Sequence, residues 1–462
     1  MREERQKYQR ELASSDGGGG EAVRAVDRGN EARTANRVTQ SPASTTAETM
    51  EEICEAENLR QALRRVRENK GGAGVDGMTV EELPDYLRAH WPRIKKDLLA
   101  GKYRPQPVKR VAIPKPDGGT RTLGIPTVLD RFIQQAALQV LQKRWDPTFS
   151  EYSYGFRPGR ASHMAVAQAQ RYIAEGKSTV VDIDLEKFFD EVNHDVLMNR
   201  ISRREKDKRL LKLIGAMLRA GMMEDGVSSG REKGTPQGGP LSPLLSNLML
   251  DELDKELEKR GLSFVRYADD CNIYVSSQRA GERVMTSITK FIGSKLKLKV
   301  NEAKSAVAKP SKRSFLGFSF TIARDASVKR RLAPRTIERF KTRVRKQTGR
   351  RAQTSEQYMK PLRQYLLGWL SYFRHCQTPS ALAHLESWTR HRVRNLIWRQ
   401  WQKPSRRVAA LKRLGIPDTI AKGYGNSSRG SWYMSSTRVI ERALSNVHLE
   451  SLGLPRFLPL HA

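Results

Sequence analysis

The segment Phe264-Val265-Arg266-Tyr267-Ala268-Asp269-Asp270-Cys271-Asn272-Ile273-Tyr274-Val275 constrains this chain more than any other. Two β-type runs flank a tight polar corner, the pattern of a β-hairpin. Two adjacent carboxylates at a hairpin tip repel each other unless a cation sits between them. Mg²⁺ suits such a place, because it takes a few carboxylates plus substrate phosphates rather than a full protein cage. The chemistry indicated is two-metal phosphoryl or nucleotidyl transfer. For this segment alone an ordinary turn, where Asp is common, is the competing reading.

A second acidic strand end lies upstream, in Val180-Val181-Asp182-Ile183-Asp184-Leu185-Glu186-Lys187-Phe188-Phe189-Asp190. An Asp inside a Val/Ile strand is costly unless it binds metal, is paired, or lies at a solvent-facing end. Strand alternation points Asp182 and Asp184 to one face. Asp184 is nearest the strand exit. Together with Asp269 and Asp270 it supplies three carboxylates able to bridge two Mg²⁺ ions.

The partner is polyanionic. The 462 residues carry a formal net charge of +34, which favours nucleic acid. Residues 321–462 hold 29 Lys and Arg against 7 Asp and Glu, and five of the seven Trp. Basic groups there can hold phosphates while aromatics pack or stack on bases. Trp369, Trp388 and Trp398 sit in helical patterns and read as core. Only Cys54, Cys271 and Cys376 are present, far apart, so no disulfide framework or CxxC zinc pair is available. No apolar run reaches the ~20 residues that span a bilayer, and no secretory signal pattern opens the chain.

Residues 1–50, with Gly17 to Gly20 in a row, read as a flexible polar tail. Helices are expected near 51–69, 81–99, 129–145, 161–175, 194–203, 207–221, 241–259 and 280–297. Strands are expected at 108–114, 120–123, 179–185, 298–308 and 314–322, with Pro116-Asp117-Gly118-Gly119 as a turn. From about 330 onward the pattern is helical and basic. The fold class is α+β, a mixed body followed by a helical module.

In this order, the motifs are similar to those of the reverse transcriptase/maturase proteins encoded by group II introns. The resemblance spans about residues 50–460. Residues 59–77 resemble the N-terminal extension of these enzymes. Ile113-Pro114-Lys115-Pro116-Asp117-Gly118-Gly119-Thr120-Arg121-Thr122-Leu123-Gly124-Ile125-Pro126-Thr127 resembles the fingers hairpin, and Tyr154-Gly155-Phe156-Arg157-Pro158-Gly159-Arg160 follows. Then come the Asp184 strand, Gly234-Thr235-Pro236-Gln237-Gly238-Gly239-Pro240-Leu241-Ser242-Pro243, Tyr267-Ala268-Asp269-Asp270, and Phe315-Leu316-Gly317-Phe318, which resembles the primer grip.

The resemblance implies a right-hand polymerase. Residues 51–328 would be fingers and palm, 329–415 the thumb or maturase domain X, and 416–462 a small basic DNA-binding region. Asp184, Asp269 and Asp270 would be catalytic and, with the carbonyl of Leu185, would hold two Mg²⁺. Lys115 and Arg121 would reach the triphosphate of the dNTP. Phe189 would exclude a 2′-hydroxyl, and Gln237 would line the nucleotide pocket. Lys304 would be an acid for the leaving pyrophosphate. Tyr154, Phe156 and Arg157 would shape the template track, with Tyr154 and Phe156 open to a structural reading. Arg390, Arg392, Arg394 and Arg399, close together in one helix, would face RNA.

The implied activity is RNA-directed DNA polymerisation combined with assistance to intron splicing. The implied partners are group II intron RNA, an RNA template with a DNA primer, and target DNA, without a membrane. The implied location is cytoplasmic in a bacterium, associated with nucleoid or ribonucleoprotein. A His-Asn-His endonuclease is not expected, since its paired cysteines are missing. The competing readings are a binding-only maturase and a reverse transcriptase recruited to phage defence or sequence diversification.

Overall fold

The structure, a computed structural model, describes residues 48–114, 119–224, 227–230, 232–236, 238–349 and 355–458. The expected tail therefore lies, through residue 47, outside the described residues, as do Lys115 and Gln237. The strands in chain order are β1 Val108–Pro114, β2 Thr120–Ile125, β3 Thr179–Ile183, β4 Met222–Glu224 and β5 Val227–Ser229. They continue with β6 Ser263–Tyr267, β7 Asp270–Val275, β8 Ala306–Ala308, β9 Phe318–Ile322 and β10 Val328–Leu332. The chain divides into two compact units, Met1–Ala165 with Val181–Val307, and Val166–Val180 with Ala308–Ala462.

The first unit is built on two sheets, one ordered β2-β1-β4-β5 and the other β6-β7-β3-β8. β1 and β2 form the expected antiparallel hairpin, with Ile113 opposite Arg121 and Pro114 opposite Thr120. The β4–β5 hairpin was not expected. Its two strands, of three residues each, are too short to show alternation in the sequence.

Two core helices are buried over most of their surface, polar residues included. Val128–Trp145 buries Phe132, Ile133, Ala136, Ala137, Val140 and Leu141. Ser242–Lys259 buries Leu244, Leu245, Leu248, Met249 and Leu253. Lys208–Arg219 is one-faced instead. Leu210, Leu213, Ile214, Met217 and Leu218 recur at helical spacing and are buried, and Asp207 caps its N-terminus by accepting from the amides of Arg209 and Leu210.

Three expectations are corrected here. The helix read at 51–69 breaks at Cys54-Glu55 into Thr49–Ile53 and Ala56–Glu68. The helix read at 280–297 is Gln278–Phe291 followed by a π turn, Ile292–Leu296. The strand read at 298–308 is mostly absent. Val300 makes only an isolated bridge to Leu185, residues 302–304 turn, and β8 begins at Ala306. The turn exists because this segment hooks the end of β3: the Asn301 amide donates to the Asp184 carbonyl at 2.8 Å, and the Glu186 amide donates to Lys299 at 2.9 Å.

The second unit opens with the antiparallel β9–β10 ribbon. β10 lay hidden in a region read as helical because its centre is the charged run Lys329-Arg330-Arg331. The helices Pro334–Gln347, Ser355–Phe373, Pro379–Gln400 and Pro404–Arg413 follow, then shorter ones to Asn446–Ser451. At Phe315-Leu316-Gly317-Phe318 the Phe315 and Phe318 backbones exchange hydrogen bonds of 2.8 and 2.9 Å around left-handed Leu316 and Gly317. A Cβ on Gly317 would stand 3.0 Å from the Phe373 ring.

The cap of the central helix offers a check. The Thr127 hydroxyl accepts from the Asp130 amide at 3.1 Å and donates to its carboxylate at 2.6 Å. Thr127→Ala is expected to cost about 1–2 kcal/mol, read as a lower urea midpoint at unchanged slope.

Candidate active site

The β6–β7 hairpin closes with Tyr267 opposite Asp270, so Ala268 and Asp269 form a two-residue loop. Ala268 carries a φ of +57°. A positive φ at the first loop position is the type II′ pattern, normally met by Gly. Asp269 thus sits in the loop and Asp270 opens β7. β7 runs beside β3 in the sheet, which brings the corner to Asp182 and Asp184.

The proximity shows in the chemistry of Asp270. Its carboxyl is pushed up from 3.8 to about 7, first by crowding from surrounding protein, then by the charges of Asp269, Asp182 and Asp184. Lys304 opposes the shift. Asp270 keeps a solvent-exposed face, so water screens part of this repulsion. The Lys304 ammonium stands 3.9 Å from Asp184 Oδ1. Rotating the Asn272 amide to satisfy its neighbours lets it donate to Asp182 Oδ1 at 2.9 Å. The sequence-predicted Asp184, Asp269, Asp270 and Lys304 are thus assembled, and Asp182 joins them as a fourth carboxylate.

Oxygen donors of this kind suit a hard divalent ion. Among the described residues, no three His, Cys, Asp or Glu side chains form a ready-made metal cage, so substrate phosphates would complete the coordination of any ion held here.

Other predicted residues fall nearby or beyond description. Leu185 is buried at the exit of β3. Phe188 is buried and Phe189 half-buried, their rings edge-to-face at 5.2 Å. The glycine loop packs against this pair. The Thr235 amide donates to Phe189 O at 2.7 Å, and a Cβ on Gly234 would lie 2.8–2.9 Å from the carbonyls of Asp190 and Phe189. Arg121 lies on β2 in register with Ile113.

The residues read as a template track divide. Tyr154 and Arg157 are buried. Arg157 binds Asp146 at 2.9 Å and the carbonyls of Ser150 and Ser153 at 2.5 and 2.9 Å, a structural set of partners. Phe156 is 41% exposed and left-handed, with φ +59°.

The residue most clearly missed by sequence reasoning is Arg266. It is fully buried, and its guanidinium forms a two-pronged pair with Asp254 at 2.7 and 2.5 Å. Burial alone would lower its proton affinity, but the Asp254 charge and hydrogen bonds outweigh that and hold it charged. An Arg inside Phe-Val-Arg-Tyr was the available signal.

Two family descriptions match the chain in series. Residues 113–320 match Reverse transcriptase (RNA-dependent DNA polymerase), and residues 337–415 match Group II intron, maturase-specific domain. The group II intron-encoded protein LtrA of Lactococcus lactis subsp. cremoris is 30% identical over 335 residues, covering 58% of this chain and 56% of that protein. The chain carries a reverse transcriptase domain followed by a group II intron maturase domain. Protein YkfC of Escherichia coli (strain K12) is 38% identical over 217 residues, 46% of this chain and 57% of that protein. The chain thus spans little more than half the length of these curated relatives. Among solved structures, the Partial Cas6-RT-Cas1--Cas2 complex contains a chain 25% identical, matched over 53% of this chain and 42% of that one. Its TM-score of 0.35 is too low for a structural argument.

The reverse transcriptase domain is therefore an α+β body, and the maturase domain is helical, as the motif order implied. No helix among the described residues is long and apolar enough to cross a membrane. Within the maturase domain one expectation is corrected. Arg390 and Arg394 do not face RNA. Both are buried; Arg390 pairs with Glu386 and with Glu450 at 3.1 Å, and Arg394 binds Leu444 O and Asn446 at 2.9 Å. Trp398 is core, as read, at 1% exposure. Trp369 packs on Phe340 and Phe373, each at 4.6 Å. Trp432 and Tyr433 are instead 43% and 51% exposed beside Arg392 and Arg429.

The raised Asp270 carboxyl makes a signed prediction. Between pH 3.8 and about 7 the folded chain holds a proton that the unfolded chain has released, so this group's contribution to stability falls as pH rises through that window. Asp270→Asn removes the ionisation. In EDTA it should melt above the wild type at pH 8, and the difference should vanish near pH 4; equal melting at pH 8 would contradict the crowding.

Proposed function

We propose that this protein is an RNA-directed DNA polymerase and splicing cofactor that copies its own group II intron RNA into cDNA during retrohoming. The observation that carries the reading is the electrostatic coupling of Asp182, Asp184 and Asp269 to Asp270 within a matched reverse transcriptase domain. Asp184, Asp269, Asp270 and the Leu185 carbonyl would hold two Mg²⁺. When bound, these ions supply activation of the primer 3′-hydroxyl and neutralisation of triphosphate charge.

The chain's own residues have separate tasks. Lys115 and Arg121, which flank the Pro116-Asp117-Gly118-Gly119 sequence, bind the dNTP phosphates. Phe189, backed by Phe188 and the Gly234-Thr235 backbone, closes the space a ribose 2′-hydroxyl would need. Gln237 lines the base pocket. Lys304 is the nearby cation for the departing pyrophosphate. Residues 329–415 act as thumb and intron-binding surface, and 416–462 contacts target DNA in a cytoplasmic ribonucleoprotein.

Primer extension on an RNA template with Mg²⁺ tests the reading. Asp269→Ala should lower extension by at least about 10³-fold, a transition-state loss near 4 kcal/mol, while RNA-assisted splicing persists. Undiminished extension, or joint loss of both activities, would refute this division of labour. The excess basic charge of residues 321–462 also predicts a steep salt response. RNA affinity, followed by filter binding, should fall with a log–log slope of roughly −3 or steeper, equivalent to about four phosphate contacts.

A further inference from the structure

Arg266 presents five N–H donors, and every one has a partner. Nε and Nη2 grip Asp254 at 2.7 and 2.5 Å; Nη2 also donates to Ser153 Oγ at 2.8 Å. Nη1 donates to Asn247 Oδ1 at 3.0 Å and to the Ala268 carbonyl at 2.8 Å. A purely structural ion pair would need only the Asp254 fork. The remaining three bonds go to the surroundings of the Asp-Asp corner.

The bond to Ala268 O has a particular consequence. That carbonyl and the amide nitrogen of Asp269 belong to one planar peptide unit. Fixing the oxygen therefore fixes the plane from which Asp269 departs. Ala268 is left-handed, a conformation that an L residue keeps only when its surroundings determine it.

The same guanidinium closes a ring around the back of the corner. Asn247, held by Arg266, donates to Gly155 O at 2.9 Å. Gly155 in turn abuts the corner so closely that a Cβ there would lie 2.2 Å from Ala268 N. The Arg266 backbone joins in, accepting from Tyr154 at 2.8 Å and donating to Tyr152 at 2.9 Å.

We propose that Arg266 is the positioning residue of the polymerase site, holding the Ala268–Asp269 peptide so that Asp269 is presented to the divalent ion. This rests on the polymerase reading above. Lys cannot substitute, because it offers a point charge rather than a planar fork.

The test uses the full chain and three variants, Asp269→Ala, Arg266→Lys and the double variant Arg266→Met/Asp254→Leu. The double variant removes both buried charges, which proteins often tolerate better than loss of one. Thermal melting reports folding, free Mn²⁺ followed by EPR reports ion affinity without nucleic acid, and single-turnover extension separates rate from dNTP KM. Both Arg266 variants should melt cooperatively, bind Mn²⁺ about 10- to 100-fold more weakly and lose extension rate by a similar factor, with KM for dNTP within about threefold. A folded variant with wild-type rate and Mn²⁺ affinity overturns the proposal. So does failure of both Arg266 variants to fold, which would make Arg266 a folding residue. If Asp269→Ala itself extends normally, the reading of the site fails, independently of Arg266.

Discussion

Mutual repulsion among Asp182, Asp184, Asp269 and Asp270 is the constraint against which the first unit is built. Each charge raises the cost of ionising Asp270, so the arrangement persists only because the backbone beneath it is over-determined. β3 delivers two of the four through strand alternation, and the two-residue β6–β7 loop delivers the others. Lys304 supplies a nearby opposing charge, on a turn that is itself tied to the end of β3.

Backbone crowding does much of the remaining work. Gly155 lies against Ala268 and Gly234 against the Phe189-Asp190 carbonyls, each where a Cβ would collide with backbone. Removing a side chain lets two backbones approach closely. The loop before the helix Ser162–Ala174 is thus packed against the Asp-Asp corner, and the glycine loop against Phe189-Asp190. A change on one side of either contact is felt by the other, since close-packed interiors transmit strain.

Much of this was legible in the sequence. The hairpin was visible because Asp-Asp interrupts two apolar runs, and the shared face of Asp182 and Asp184 follows from a period of two. Arg266 was not legible as a buried hub. Phe264, Val265 and Arg266 are all buried, so β6 lacks the alternation that would have announced which side faces the core. The partners of Arg390 and Arg394 were equally hidden: Glu450, Leu444 and Asn446 come from helices and loops far along the chain, and a local run of arginines reads as a surface. β10 was masked by its charges, and 298–308 was misread because its β-type residues serve a turn that holds the β3 end.

The partition of the chain carries an implication for how such proteins recombine. The second unit takes Val166–Val180 from the middle of the first, and Gln170 within that stretch donates to the Val328 carbonyl and to Gln377. A crossover at residue 308 would thus transplant the C-terminal helices without the piece that anchors their ribbon. Exchange of this half between relatives as an intact module requires two breakpoints, with the inner stretch travelling alongside, so shuffling by a single splice is disfavoured.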